Sequence, residues 1–203
     1  MELAHLIAFN LALLVAIASP GPSLLLLTRT SVIQGRRTGI ATALGLGLMA
    51  ALWTLAALLG LDGLFRLFPW AYAGLKVVGA CVLLWFAWTA WRSARTPVGT
   101  SPSHLPSRHR AFLTGVLLNL GNPKSVFFSA AVLVVIFPPG LGTEEKALIF
   151  LNHLAVECLV QPALAVVLST NAVSRGYLAA KPIFDRVSAA VLGALGLRLL
   201  LER

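Results

Sequence analysis

The sequence predicts an all-α integral membrane protein. Its six transmembrane helices form two inverted three-helix repeats, with helices 1 and 4 broken near the bilayer midplane. Of the 203 residues, 58% are hydrophobic and only 11% are charged, whereas soluble domains carry about 25% charged residues. Two further observations predict this fold: basic residues are concentrated in alternate loops, and a proline-containing break recurs in the first and fourth apolar segments.

Six segments approach the roughly 20 apolar residues that a helix needs to cross a bilayer. They cover residues 3–29, 39–61, 70–91, 111–137, 147–169 and 183–201. Pro69 and Pro182 lie at the start of the third and sixth segments, where a helix tolerates a missing N–H. We interpret the first segment as a transmembrane helix and not as a cleaved signal peptide, because Glu2 and no Lys or Arg precedes it.

The six segments make one membrane domain over residues 1–203. The first repeat covers about residues 1–91, a cytoplasmic linker covers 92–110, and the second repeat covers about 111–203. With three segments each, the two repeats enter the membrane in opposite senses, which is a plan common in secondary transporters.

The positive charges predict the orientation. Three alternate loops hold ten basic residues: Arg29, Arg36, Arg37, Arg92, Arg95, Arg108, Arg110, Arg175, Lys181 and Arg186. The other loops hold only Arg66 and Lys146, offset by Asp62, Glu144 and Glu145. Because basic loops stay in the cytoplasm, we expect both termini in the periplasm. Basic residues in cytoplasmic loops also explain the net charge of +9. We therefore expect the chain to contact a lipid bilayer and not to bind nucleic acid.

Two breaks interrupt apolar helices at similar depth. Ser19-Pro20-Gly21-Pro22-Ser23 interrupts the first segment, and Asn122-Pro123-Lys124 interrupts the fourth. Helix geometry places the breaks roughly 14 Å and 16 Å from the cytoplasmic edge, near the midplane of a core about 30 Å thick. Gly21-Pro22 and Asn122-Pro123 are each typical of an N-cap followed by a first-turn proline. Each break therefore starts a half-helix whose positive end attracts an anion such as a carboxylate.

Residues at and around these breaks, together with two polar residues of the fifth segment, form the predicted substrate site. They are Pro20, Gly21, Pro22, Ser23, Asn119, Asn122, Pro123, Lys124, Glu157 and Gln161. Lys124 supplies a full positive charge at the level of the breaks. Glu157 lies mid-way along the fifth segment, and Gln161 follows it by one turn on the same face.

Each of these residues also has a structural interpretation. The Pro-Gly-Pro break could be a simple kink, and Lys124 could extend to the membrane interface. Asn119 and Gln161 could form hydrogen bonds between helices. Glu157 could bind a substrate ammonium, carry a coupling proton, or only pair with Lys124, and the residues leave these three roles open.

No pattern predicts an enzyme, a metal centre or a cofactor. We find no His–carboxylate or Cys–His pair at a plausible spacing. Cys81 and Cys158 both lie in apolar segments, which predicts small buried side chains and no disulfide or metal pair.

Several motifs together resemble the LysE/RhtB family of amino-acid exporters. They are Ser19-Pro20-Gly21-Pro22-Ser23, Gly35-Arg36-Arg37-Thr38-Gly39, Leu75-Lys76-Val77-Val78-Gly79, Asn122-Pro123-Lys124, Asp185-Arg186-Val187-Ser188-Ala189 and Leu195-Gly196-Leu197-Arg198-Leu199. The likeness extends over essentially the whole chain. It departs at Trp53 and at Trp85-Phe86-Ala87-Trp88, and Glu157 and Gln161 match no family motif. The substrate therefore stays open.

The resemblance implies proton-driven export of amino acids or related small zwitterionic metabolites across the bacterial inner membrane. One alternative is an inorganic-ion exporter of the same superfamily, although such a site needs several Asp, Glu, His or Cys ligands at one level. Another is a non-transporting membrane scaffold subunit, which would need neither a midplane cavity nor a buried lysine. The sequence is compatible with a homodimer, and no motif decides the oligomeric state.

Overall fold

A computed structural model describes residues 1–19, 21–67, 71–93 and 108–201 of the chain. Within these ranges all regular secondary structure is helical, as predicted. The helices are α1 (Leu3–Ala18), α2 (Pro22–Gln34), α3 (Arg36–Leu67), α4 (Ala71–Ser93), α5 (Arg108–Leu120), α6 (Pro123–Ile136), α7 (Thr143–Val167), α8 (Asn171–Ala179) and α9 (Lys181–Leu201).

The helices follow the apolar segments of the sequence. By length and composition, α7 and the Arg36–Gly60 part of α3 can each cross a membrane, and so can the bent pairs α1–α2 and α5–α6. The predicted third and sixth segments correspond to α4 and α9, which have 23 and 21 residues. The structure thus confirms a helical protein with several candidate membrane spans.

The first predicted loop is shorter than expected. The segments predicted an irregular stretch between residues 29 and 39, whereas α2 continues to Gln34 and α3 begins at Arg36. Gly35 is the single residue between α2 and α3, and its φ angle is +80°. Glycine adopts this conformation without a steric penalty from a Cβ atom. The structure also contains a helix that was not predicted: α8 lies within the predicted loop between the fifth and sixth segments, just before α9.

Helix α3 lies at the centre of the bundle and packs against α2, α5, α6 and α7, while α4 packs mainly against α9 and α6. The larger apolar core joins α1, α4, α6, α7 and α9 through buried side chains such as Phe9, Leu83, Val132, Ile149 and Leu192. A smaller core around Leu24, Leu27 and Leu46 joins α2 to α3.

Helices α3 and α5 cross at two glycines. A Cβ atom at Gly45 would stand 2.1 Å from the carbonyl oxygen of Phe112, and one at Gly115 would stand 2.5 Å from that of Thr42. Small residues allow such close approach between membrane helices. The two backbones therefore touch, and any side chain at either position would separate them.

Contacts across the bundle fix the relative directions of the helices. Thr54 and Gly47 of α3 lie beside His153 and Glu157 of α7 respectively, so these helices are antiparallel. Asn10 of α1 and Asn152 of α7 exchange side-chain hydrogen bonds of 3.3 Å and 2.6 Å. The amino group of Met1, just before α1, donates to Glu145 near the start of α7, so these helices are parallel. The asparagine pair joins α1 to α7.

The outer faces of the bundle are apolar. Leu3, Leu117 and Leu159 are among many large hydrophobic side chains that are more than half exposed. Cys81 and Cys158 are also exposed on these faces, so the prediction that both are buried is wrong. The outward face of a membrane helix is as apolar as its inward face, because it contacts lipid, and apolar sequence context therefore does not distinguish the two.

Candidate functional site

Both predicted helix breaks are present. The axes of α1 and α2 differ by 61°, and those of α5 and α6 differ by 60°. Gly21 is the N-cap of α2 and Pro22 its first residue, while Asn122 and Pro123 hold the same positions in α6. The N-cap and first-turn proline that the sequence predicted at each break are confirmed.

The two new helix ends are capped differently. The Asn122 side chain accepts a hydrogen bond of 3.0 Å from the backbone N–H of Lys124, so one donor of α6 is occupied. No side chain caps α2 at Gly21. The first N–H groups of a helix have no partner within it, so the start of α2 presents free donors while the start of α6 is partly satisfied.

A cavity lies between the two breaks and α7. Its lining includes eight of the predicted site residues: Gly21, Pro22, Ser23, Asn119, Asn122, Lys124, Glu157 and Gln161. Pro20 lies outside the described residues, and Pro123 is described only as the start of α6. The cavity has a volume of about 70 Å³, several times the roughly 10–15 Å³ that one buried water needs. The cavity is therefore large enough for a small polar solute.

Hydrogen bonds join the two breaks. The Asn122 amide donates to Oγ of Ser23 over 3.1 Å, so the start of α6 is tied to the start of α2. Asn119, which is buried, donates to the carbonyl oxygen of Leu46 over 2.7 Å and accepts from the Ser125 hydroxyl. Asn119 thus both lines the cavity and links helices, so its two predicted roles coexist.

Lys124 interacts with an acidic residue that was not among the predicted site residues. The carboxylate of Asp185 on α9 interacts electrostatically with the Lys124 ammonium, and Asp185 is fully buried. Glu157 is therefore not the only acidic residue inside the bundle. A signal was available, because Asp185, Ser188, Ala189 and Leu192 form one buried face of α9 at helical spacing.

Glu157 belongs to a polar network on α7. Its Oε1 lies 3.2 Å from Nε2 of His153, and its Oε2 accepts a hydrogen bond of 2.7 Å from the Gln161 amide. All three residues are buried. The prediction that no His–carboxylate pair has a plausible spacing was wrong, because residues four apart meet on one helix face. Neither partner of Glu157 is Lys124.

The network continues from α7 into two other helices. Nδ1 of His153 lies 2.8 Å from Oγ1 of Thr54 on α3, and Oγ1 of Thr54 lies 3.2 Å from Oγ of Ser129 on α6. The Phe9 ring contacts the His153 ring edge-on, with centroids 5.6 Å apart. Thr54 and Ser129 are hydroxyl residues in apolar stretches, and nothing in the sequence pairs them with His153.

The site combines a cationic end with a carboxylate end. Free N–H groups of α2 and the Lys124 ammonium face the same cavity as the Glu157 carboxyl group. Such an arrangement suits a small molecule with opposite charges at its two ends. Among the described residues, no group of three or more His, Cys, Asp or Glu is placed as a set of metal ligands.

Comparison with known proteins places the chain among membrane transport proteins. The family model described as LysE type translocator matches residues 14–203. Over 198 residues the chain is 27% identical to the threonine efflux protein of Escherichia coli K12, covering 94% of each chain. It is 28% identical over 186 residues to the uncharacterized membrane protein YahN of the same strain, covering 91% of this chain and 83% of that protein.

A shorter match joins the chain to a second efflux protein. The homoserine/homoserine lactone efflux protein of Salmonella typhimurium LT2 is 31% identical over 130 residues, covering 64% of this chain and 61% of that protein. No solved structure matches the chain. The resemblance that the sequence motifs indicated is confirmed by these relatives and by the family model.

Proposed function

This chain belongs to the LysE type translocator family, and we propose that it exports amino acids or closely related small zwitterionic metabolites across the bacterial inner membrane. The observation that carries this proposal is the cavity between two helix breaks, which holds Lys124 and Glu157 together with free helix N–H groups. The names of two relatives, a threonine and a homoserine efflux protein, support the same substrate class.

The carboxylate of the substrate binds at the start of α2. There the N–H groups have no side-chain cap, and a helix N-terminus attracts anions through its donors and its dipole. Lys124 adds a full charge to the same cavity. The start of α6 contributes less, because Asn122 already accepts from the Lys124 N–H. Asn122 instead holds Ser23, and with it the start of α2, in place.

The ammonium group of the substrate binds toward Glu157. Its carboxyl group lines the cavity and is held by His153 and Gln161. Export is driven by the proton gradient, and Glu157 is the residue that takes up the coupling proton. Gln161 supports this role as a hydrogen-bond donor to the Glu157 carboxyl group.

Six membrane spans in two inverted repeats, with both termini in the periplasm, form the transporter. The spans are α1–α2, α3, α4, α5–α6, α7 and α9. The matched bends of 61° and 60° support the equivalence of the first and fourth spans. The antiparallel packing of α3 against α7 supports the equivalence of the second and fifth spans. The contact of α4 with α9 supports the equivalence of the third and sixth spans.

Two other functions fit the site less well. A scaffold subunit has no need for a cavity at the helix breaks or for Lys124 inside it. An inorganic-ion exporter needs several hard or soft ligands at one level, whereas the charged groups of this cavity are of opposite sign. A zwitterionic solute matches both charges.

Transport in proteoliposomes tests this proposal. The purified chain should exchange L-threonine or L-homoserine across the bilayer, and an inward proton gradient should accelerate efflux. Lys124→Ala should abolish exchange while the protein still inserts and folds, because the substrate carboxylate loses its cation. Undiminished exchange by this variant would reject the role of Lys124.

A second variant separates binding from coupling. Glu157→Gln keeps the size of the side chain and its bonding to Gln161 but takes up no proton. Efflux by this variant should no longer respond to the proton gradient. A wild-type response would reject Glu157 as the coupling group, and no exchange of any amino acid by the wild-type chain would reject the export function itself.

A further inference from the structure

A continuous line of hydrogen-bonding groups runs from Glu157 to Ser129 across three helices. The order is Glu157 and His153 on α7, Thr54 on α3, and Ser129 on α6, with separations of 3.2, 2.8 and 3.2 Å. All four side chains are buried, with Thr54 fully so. Glu157, His153 and Ser129 also line the cavity between the helix breaks.

The surroundings of this line are partly polar and partly apolar. On α7, Gln161 donates to the second carboxyl oxygen of Glu157. From α3, Gly47 packs against Glu157, and from α1, the Phe9 ring packs against His153. Lys124 of α6 is the basic residue of the described cavity lining, and it interacts with Asp185 of α9.

The number of protons on the His153–Glu157 pair decides the direction of the hydroxyl bonds. The Thr54 hydroxyl has one hydrogen, so it can donate either to Nδ1 of His153 or to Ser129. With one proton on the pair, Nε2–H donates to the Glu157 carboxylate and the bare Nδ1 accepts from Thr54. Ser129 must then donate to Thr54, which leaves only oxygen lone pairs of Ser129 for the cavity.

A second proton reverses this order. The protonated Glu157 carboxyl group now donates from Oε1 to Nε2, and the histidine proton lies on Nδ1, which donates to Thr54. The Thr54 hydroxyl then donates to Ser129, and the hydrogen of the Ser129 hydroxyl is free to turn toward the cavity. No bond other than O–H and N–H changes, and the added proton stays on the pair until it leaves on the cytoplasmic side.

We propose that Ser129 contacts the substrate ammonium, and that protonation of the His153–Glu157 pair switches this contact off through Thr54. While the pair holds one proton, Ser129 offers an acceptor to the ammonium group. When the pair takes a second proton from the periplasm, Thr54 donates to one of the two Ser129 lone pairs, and the Ser129 hydrogen turns toward the ammonium group. This hydrogen repels the ammonium, so proton uptake opposes substrate binding, as antiport requires. This inference depends on the proposed proton-coupled export.

The first test measures L-threonine binding to the full chain in nanodiscs between about pH 5.5 and 8.5. Wild-type affinity should weaken as the pH falls, by at most about tenfold per unit, the limit for one competing proton. Ser129→Ala and Thr54→Val should make this dependence shallower than in the wild type, because each removes one hydroxyl from the line while direct competition at Glu157 remains. Thr54→Ser is the matched control, since it restores the hydroxyl and should keep the wild-type dependence. A wild-type slope in Ser129→Ala or Thr54→Val would overturn the proposal.

The second test needs no substrate. Nitrogen NMR of the full chain labelled at histidine should show Nδ1 of His153 bare at high pH and protonated at low pH. Thr54→Val should shift the pH at which this change occurs. An Nδ1 that keeps one protonation state from about pH 5 to pH 9 would overturn the relay even if transport is proton-coupled. A titrating Nδ1 in a chain that exchanges no amino acid would support the relay and reject the proposed export.

Discussion

Gly47 of α3 packs directly against Glu157 of α7: a Cβ atom at position 47 would stand 2.9 Å from Cβ of Glu157 and 3.3 Å from its Oε2. The carboxyl group that faces the cavity therefore depends on the absence of a side chain on the neighbouring helix. Substitutions at this contact and at the polar contacts around it have distinct expected outcomes.

Replacing Gly47 should displace Glu157. Gly47→Val should abolish efflux and lower the thermal stability, since overpacking a tight contact costs about 1–3 kcal/mol. Gly47→Ala should have a smaller effect in the same direction. Efflux assays and thermal melting in detergent measure both outcomes.

Gly60→Ala is the matched control for this pair of variants. Gly60 lies on the same helix, and a Cβ atom there has no neighbour within 4 Å. The substitution should leave efflux and melting temperature close to wild type. Equal losses at positions 47 and 60 would contradict contact with Glu157 as the cause, because replacing a helical glycine by alanine does not by itself destabilise the helix.

We expect Asn122 to stabilise the protein as the N-cap of α6. Asn122→Ala removes the acceptor for the Lys124 N–H and the donor to Ser23, and loss of an N-cap costs about 1 kcal/mol. We expect a lower melting temperature and weaker substrate binding. Asn122→Ser keeps an N-cap acceptor and should recover most of the stability, and a serine variant no more stable than the alanine variant would contradict the capping role.

Asp185 and Lys124 should be energetically coupled. Asp185→Asn leaves the half-buried Lys124 ammonium without the favourable electrostatic interaction with this carboxylate, so we expect a loss of stability. The double variant Asp185→Asn with Lys124→Gln should be more stable than the sum of the single effects predicts, by about 0.5–3 kcal/mol. Purely additive unfolding free energies would mean that the two charges do not interact.

The asparagine pair between α1 and α7 should contribute less. Hydrogen bonds between membrane helices average about 0.6 kcal/mol in double-mutant cycles, so a cycle of Asn10→Ala and Asn152→Ala should give a coupling near that value. Efflux should persist in both single variants, because neither residue is part of the described cavity lining. A coupling indistinguishable from zero would place the pair among the contacts that add no stability.

The helix breaks were predictable because their causes are local. Proline cannot continue a helix interior, and Gly21 and Asn122 are residue types that favour N-caps. Their common depth in the membrane was inferred by counting residues at about 1.5 Å each, and it stays a prediction. The sequence therefore predicted most of the polar cavity lining, including Lys124 and Glu157.

The partners of those residues were not predicted. His153 was overlooked although it lies one turn before Glu157, on the helix face that also carries Gln161. Thr54, Ser129 and Asp185 belong to other helices, and their contacts follow from tertiary packing. Single hydroxyl residues in apolar helices carry no pattern that would identify such partners.

The glycine contact between α3 and α5 has a consequence for how such a protein could move. The backbones of α3 and α5 are in direct contact at Gly45 and Gly115. The two helices therefore cannot slide past one another without a clash of main-chain atoms. A change that exposes the cavity first to one side and then to the other must carry α3 and α5 as one block.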